Sequence, residues 1–133
     1  MKPYRLLCGA AFVVASFASF PVEAQTSIAE QQDERVIENL RQSGADIKKV
    51  HDIDFFLIFR SQADAMAISE KMRVLGYDIV GVKHVSTTKQ WELQARRKMV
   101  PGLEAMQAST RSLQTLAADR RGYYDGWGTV GIK

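Results

Sequence analysis

The stretch HDIDFFLIF, residues 51–59, decides the fold of this chain. Successive side chains of a β-strand point to opposite faces, so the apolar residues of this stretch fall on both faces. A strand that is apolar on both faces is typical of the centre of a sheet. The pattern therefore predicts a central strand with Ile53, Phe55, Leu57 and Phe59 on one face and Asp54, Phe56, Ile58 and Arg60 on the other.

Three segments on either side of this strand have the apolar spacing of helices. The first is Ser27–Ser43, the second opens at Ser61 with a capping pattern, and the third follows Pro101. Each is followed by a glycine, which favours a helix end. The residues predicted to face the core are Ile28, Val36, Ile37 and Leu40, then Ala65, Ile68, Met72 and Leu75, then Leu103, Met106, Thr110, Leu113 and Ala117.

Three more strands complete the pattern. Tyr77–Val85 and Trp91–Lys98 are joined by a short polar stretch, which predicts an antiparallel hairpin. Trp127–Ile132 is predicted as a short last strand. The order is a helix followed by β-α-β-β-α-β, which is the ferredoxin-like α+β arrangement of two helices on one face of a four-stranded antiparallel sheet.

The second face of this sheet has no predicted helix of the β-α-β-β-α-β unit over it, and Phe56 and Ile58 project from it. Such a surface is covered either by the first helix or by a partner molecule. It would also permit a homodimer. Phe56 and Ile58 are therefore predicted partner-binding residues.

The N-terminus has the organisation of a secretory signal peptide, with a basic start, an apolar run over residues 6–20 and small residues up to Ala24. The run is shorter than the roughly 20 apolar residues of a membrane-spanning helix. We predict a signal peptide at residues 1–24, a single domain at residues 25–133, and a periplasmic or secreted location. Cleavage would also remove the only cysteine, Cys8, so the domain must fold without a disulfide.

The charge of the mature domain does not indicate a nucleic-acid binder. The chain has a formal net charge of +3, and loss of Lys2, Arg5 and Glu23 would leave +2. Residues 96–98 and 120–121 are basic and could form a patch, but a solvated rim is the favoured interpretation. The third strand also lacks the Gly-aromatic-Gly-Phe core of an RNA recognition motif.

No residues are spaced like a catalytic or metal-binding site, and we find no cofactor motif. The best group is His51 with Asp52 and Asp54, but neighbouring residues of a strand point to opposite faces. His84 is a lone histidine near a strand end. The prediction is a protein without catalysis, metal or cofactor. The alternative from another class is an enzyme that uses His84 or the acidic residues near His51.

The segment YYDGWGT, residues 123–129, interleaves aromatic residues with glycines and has two interpretations. In the favoured, structural one, it is a turn leading into an edge strand, and Trp127 fills the core. In the functional one, Tyr124, Asp125 and Trp127 form a partner-binding hot spot, since Tyr and Trp supply rigid contact area.

The residues YDGWGT at 124–129, together with Leu75-Gly76-Tyr77, resemble the regulator of ribonuclease E activity B (RraB) family, and weaker similarity extends back to Val36. The resemblance implies a ferredoxin-like fold, no catalysis, and binding to ribonuclease E. A secretory signal would separate this chain from a cytoplasmic ribonuclease. We therefore predict an exported RraB-like regulator or inhibitor that binds an envelope protein, and the alternative is a ribonuclease E inhibitor that stays in the cytoplasm.

Overall fold

The computed structural model describes residues 22–129, with side chains from Ile28 onward. The predicted α+β class, with a helix ahead of the first strand, is confirmed. The helices are α1 (Val22–Gln42), α2 (Gln62–Val74) and α3 (Leu103–Ala118), and the strands are β1 (His51–Phe59), β2 (Asp78–Val85), β3 (Gln90–Met99) and β4 (Tyr123–Gly128). Most of the predicted signal peptide lies outside the described residues, and its cleavage after Ala24 stays a prediction.

β1 is a central strand, as the sequence predicts. The sheet is antiparallel, with the strand order β2-β3-β1-β4. β1 pairs with β3 along its whole length, from His51 opposite Met99 to Phe59 opposite Trp91. β2 and β3 form the predicted antiparallel hairpin.

All three described helices lie over the same face of the sheet. α2 packs on β1, β2 and β3, α3 packs on β4 and β1, and α1 packs against α3. The first helix therefore does not cover the other face, which we call the second face. The helix-covered face holds the core, and it includes the four β1 residues that the sequence assigns to one side: Ile53, Phe55, Leu57 and Phe59.

The predicted signals at the two ends of α2 are both present. The Ser61 hydroxyl oxygen accepts a hydrogen bond of 3.1 Å from the backbone N–H of Asp64. At the other end, Gly76 has a φ of +97°, which favours glycine. The N–H of Tyr77 donates to the carbonyl oxygen of Met72 at 3.0 Å, so the helix ends in a Schellman motif.

Two residues predicted to face the core are exposed instead. Leu75 is 51 % exposed and Leu103 is 41 % exposed. Leu75 caps the C-terminus of α2 and Leu103 is the first residue of α3, so each lies where the helix has left or not yet reached the core. The other residues predicted to face the core from these two helices are buried: Ala65, Ile68, Met72, Met106, Thr110, Leu113 and Ala117.

The last strand begins earlier than predicted. β4 starts at Tyr123 rather than at Trp127, and the predicted end at Ile132 lies outside the described residues. The pairing with β1 shifts between Phe56 and Leu57, which leaves Asp125 as an extra residue in β4. Gly126 adjoins this bulge and has a φ of +117°, in the left-handed region that glycine adopts without strain.

Candidate functional site

The five residues predicted to bind a partner are all nearly buried. Tyr124 and Trp127 belong to the core on the helix-covered face, so the structural interpretation of Trp127 is confirmed. Phe56 and Ile58 lie on the opposite side of β1 and are 1 % and 6 % exposed, and Asp125 is 6 % exposed. Their role in partner binding stays a prediction. Ile58 and Asp125 both line an open cavity.

That cavity is a groove of about 440 Å³ at the end of the second face where β1 stops and β4 starts. Its walls come from four strands and from the β2–β3 connection. The lining residues include Ile58, Lys83, His84, Glu92, Tyr123 and Asp125, together with residues 85–88 and Gln90.

The groove combines apolar and charged surface. Ile58 and the Tyr123 ring supply apolar walls, and Glu92 and Asp125 supply carboxylates. Glu92 is only 2 % exposed, and the Nζ of Lys83 lies 3.7 Å from its Oε1. A concave site with apolar walls and a few polar groups can hold a side chain or a short segment of another molecule.

The rest of the second face carries cross-strand ion pairs between β1 and β3. Asp54 is 3 % exposed, and it accepts two hydrogen bonds from Arg96, at 2.7 Å and 3.2 Å. Lys98 donates to Asp52 at 2.9 Å, and this hydrogen bond holds the pKa of Asp52 below its ordinary value. The two acidic residues near His51 are therefore engaged by basic residues in the neighbouring strand.

The basic residues of the sequence do not gather into one patch. Arg96 and Lys98 lie on the second face beside their acidic partners. Arg97 instead stacks its guanidinium group over the ring of Tyr77, 5.1 Å from the ring centre. Arg120 lies 3.4 Å from Asp64 at the start of α2. This dispersion agrees with the favoured interpretation of a solvated rim.

The two histidines lie far apart in the fold and have different surroundings. His51 is fully buried, and its Nε2 lies 2.8 Å from the carbonyl oxygen of Asp46. His84 is exposed in the part of β2 that borders the groove, and its ring packs against Trp91 with 5.0 Å between ring centres. Over the described part of the chain, no three His, Cys, Asp or Glu side chains are grouped to hold a metal ion. No helix in that part is long and apolar enough to cross a membrane.

The residue that sequence reasoning missed is Asp33 in α1. It is 2 % exposed, and both of its oxygens accept hydrogen bonds. The indole Nε1–H of Trp127 donates to Oδ1 at 2.8 Å, and the hydroxyl of Thr110 donates to Oδ2 at 2.7 Å. Asp33 lies one turn before Ile37 and therefore on the apolar stripe of α1. An acidic residue on that stripe was the signal in the sequence that could have identified a buried carboxyl group.

Burial is the main influence on the acidity of Asp33. Removing the carboxylate from water raises its pKa from 3.8 to about 7. The hydrogen bonds from Thr110 and Trp127 act in the opposite direction, because they favour the charged form, but they do not offset the burial. Asp33 lies beside the core rather than at the groove.

The comparison with known proteins covers most of the chain. Residues 30–129 match the sequence profile of a family described as regulator of ribonuclease activity B, RraB. The match begins inside α1, includes all four strands, and ends at Thr129 just after β4. No curated protein matches the chain significantly. Because the matched range is most of the chain and agrees with the resemblance of the YDGWGT segment, this protein is a member of the RraB family.

Proposed function

We propose that this chain is an exported, non-catalytic regulator that binds a protein of the cell envelope, and that the groove on the second face is the binding site. The observation that carries the proposal is the groove itself, where Ile58 and Asp125 meet Glu92 and Tyr123. Membership of a family described as regulators supports a regulatory role. The strand order β2-β3-β1-β4, with helices over one face, supports a ferredoxin-like description of the domain.

The groove suits a protein segment for reasons of chemistry. Its apolar walls can receive part of a side chain, while the carboxylates of Glu92 and Asp125 can accept hydrogen bonds from it. The exposed residues 86–88 of the β2–β3 connection form one side, so a partner can approach without opening the core. The acidic and basic residues elsewhere on this face are paired across strands, which favours recognition over catalysis.

The alternative is a regulator that stays in the cytoplasm and acts on ribonuclease E. The family description, regulator of ribonuclease activity, favours it. The apolar run at residues 6–20 favours export. The two proposals share the groove and differ in the compartment and the partner.

Location separates the two proposals. The full chain is expressed in a bacterial cell, the periplasm and cytoplasm are fractionated, and the mature N-terminus is read by mass spectrometry. A periplasmic product that begins at Gln25 supports the exported regulator. An uncleaved cytoplasmic product contradicts it and makes ribonuclease E the first partner to test.

The groove is tested with a matched pair of substitutions. Ser86→Arg places a long charged side chain at the exposed rim of the groove, and Ser112→Arg makes the same change on the exposed surface of α3. A photoreactive amino acid at Thr87 is used to crosslink the partner in the living cell, and mass spectrometry identifies it. We expect Ser86→Arg to abolish the crosslink and Ser112→Arg to leave it unchanged. Equal crosslinking in both variants would contradict the assignment of the groove.

The ribonuclease alternative has its own measurement. The purified protein is added to ribonuclease E with an RNA substrate, and the cleavage rate is followed. Inhibition that is lost with Ser86→Arg and kept with Ser112→Arg would support the cytoplasmic regulator. An unchanged cleavage rate would remove ribonuclease E as the target.

A further inference from the structure

Asp33 joins three elements of the fold through one buried carboxyl group. It lies on α1, it accepts the hydroxyl of Thr110 on α3, and it accepts the indole N–H of Trp127 on β4. These partners are 77 and 94 residues away in the sequence. The carboxyl group therefore lies in the interface that attaches the N-terminal helix to the rest of the domain.

The charged groups around this carboxyl are few. Glu30, on the same helix, forms an ion pair with Arg111 of α3 beside the site, and among the described residues these are the two charges that act on Asp33. β4 contributes only the uncharged indole, and the β1 residue opposite Trp127 is Phe55. Among the described residues no ion pair joins a cation to the Asp33 carboxyl, and Arg111 pairs with Glu30. A buried carboxylate without a cationic partner is costly, so the neutral acid is the form that this interface favours.

We propose that Asp33 is a pH-dependent latch that holds α1 against α3 and β4 while its carboxyl group carries a proton. When α1 opens, water reaches the carboxyl group and the proton is released. Thr110 suits this role because a hydroxyl can donate to the charged carboxylate or accept from the protonated acid. Opening of α1 would uncover the apolar residues that it buries, among them Val36 and Leu40.

The direction of the pH dependence follows from the two states. The pKa is about 7 with α1 packed and returns to 3.8 when the group is in water. The packed form therefore holds a proton that the open form releases, and rising pH favours opening throughout the interval between these values. The latch stabilises the packed form most below pH 3.8. This stabilisation is lost once the pH passes about 7.

Hydrogen exchange of the α1 amides measures this opening directly. The purified full chain is compared at about pH 5, 6, 7 and 8, after correction for the intrinsic pH dependence of exchange. The opening constant of α1 should rise by up to about 100-fold between pH 5 and pH 7 and then level off. Asp33→Asn should abolish this rise because an amide does not titrate.

The matched control is Glu34→Gln, which removes an exposed carboxylate from the next position of the same helix. It should keep the pH dependence of the unmodified protein. The proposal is overturned if Asp33→Asn keeps that dependence, or if the opening constant of the unmodified protein does not change with pH.

A second measurement needs no change at Asp33. The carboxyl carbon of Asp33 is titrated by nuclear magnetic resonance in the unmodified protein. A midpoint more than about two pH units above the ordinary value supports the latch. A midpoint near the ordinary value overturns it, because the Asp33 carboxyl would then have the same proton affinity in the packed and open forms.

Discussion

The two faces of β1 are made by alternate residues of one nine-residue strand, and they have different surroundings. On the helix-covered face, Phe55 lies between Ala95 and Trp127 in the sheet, and its ring packs edge-on against Tyr77 with 5.4 Å between ring centres. On the second face, Phe56 lies between Gln94 and Gly126. Adjacent phenylalanines of equal burial therefore have apolar neighbours on one side of the sheet and polar or small neighbours on the other.

The two faces also differ in what lies over them. The helix-covered face is closed by three helices, and its buried polar groups include Asp33, whose oxygens are both hydrogen-bonded. The second face keeps ion pairs such as Asp54 with Arg96, and it ends in an open groove. One face therefore carries the main core, and the other carries the groove that we propose as the binding site.

The largest expected effect tests whether the two faces differ in stability. Phe55→Ala should lower the free energy of unfolding by about 3–5 kcal/mol, since it removes a ring from the main core. Phe56→Ala should also lower this free energy, but by about 1–2 kcal/mol less than Phe55→Ala, because its cross-strand neighbours are polar or small. Urea denaturation of both variants checks this. Equal losses would mean that the second face is a second core.

The connection between α3 and β4 should also be sensitive to substitution. A Cβ added at Gly122 would lie 2.5 Å from the carbonyl oxygen of Ile58 and 2.5 Å from the ring of Phe59. Gly122→Ala should therefore cost about 1–3 kcal/mol, as overpacking does elsewhere. Gly102→Ala meets no atom within 4 Å and is the control.

For that control we expect a change within about 0.5 kcal/mol, because the weaker helix cap is offset by a less flexible unfolded chain. Thermal denaturation of the two alanine variants gives the comparison. Similar melting temperatures would show that the backbone at Gly122 can move away from β1 freely.

The ion pairs of the second face should differ from each other. Arg96→Ala leaves the buried Asp54 carboxylate without its two charge-assisted hydrogen bonds and should cost about 1–2 kcal/mol. Lys98→Ala removes a pair in which the lysine is 77 % exposed, and no measurable change is expected. Urea denaturation at low and high salt distinguishes them. If both substitutions changed the free energy of unfolding equally, the ion pairs of the second face would not be ordered as the structure has them.

The smallest effect concerns α2, which covers the core face. Ser61→Ala removes the hydroxyl that caps the helix and should cost about 1 kcal/mol. Ser112→Ala, at an exposed position within α3, is the control and should be neutral or slightly stabilising, since alanine is the better helix former. Calorimetry resolves a difference of this size. A loss at Ser112 as large as at Ser61 would show that the cap does not contribute.

Much of the fold could be predicted because its signals are local. The alternation in β1 identified the strand and both of its faces, and the apolar spacing of α2 and α3 identified their buried residues except at the helix ends. Less of the candidate site could be predicted from the sequence. Ile58 and Asp125 were predicted, whereas Glu92 and the β2–β3 connection became part of the site only when the strands were placed side by side.

The sequence by itself determined the identity and order of the helices and strands, the central position of β1 and the membership of the RraB family. The helices and strands follow from periodicity and from caps such as Ser61 and Gly76, which are patterns of a few residues. The family follows from the YDGWGT segment and from the match over residues 30–129. Only the tertiary structure decided that α1 joins the other helices, that β4 starts at Tyr123, and that Asp33 meets Trp127. The physical reason is that these features depend on contacts between distant residues, and no local pattern specifies which distant groups will share a buried interface.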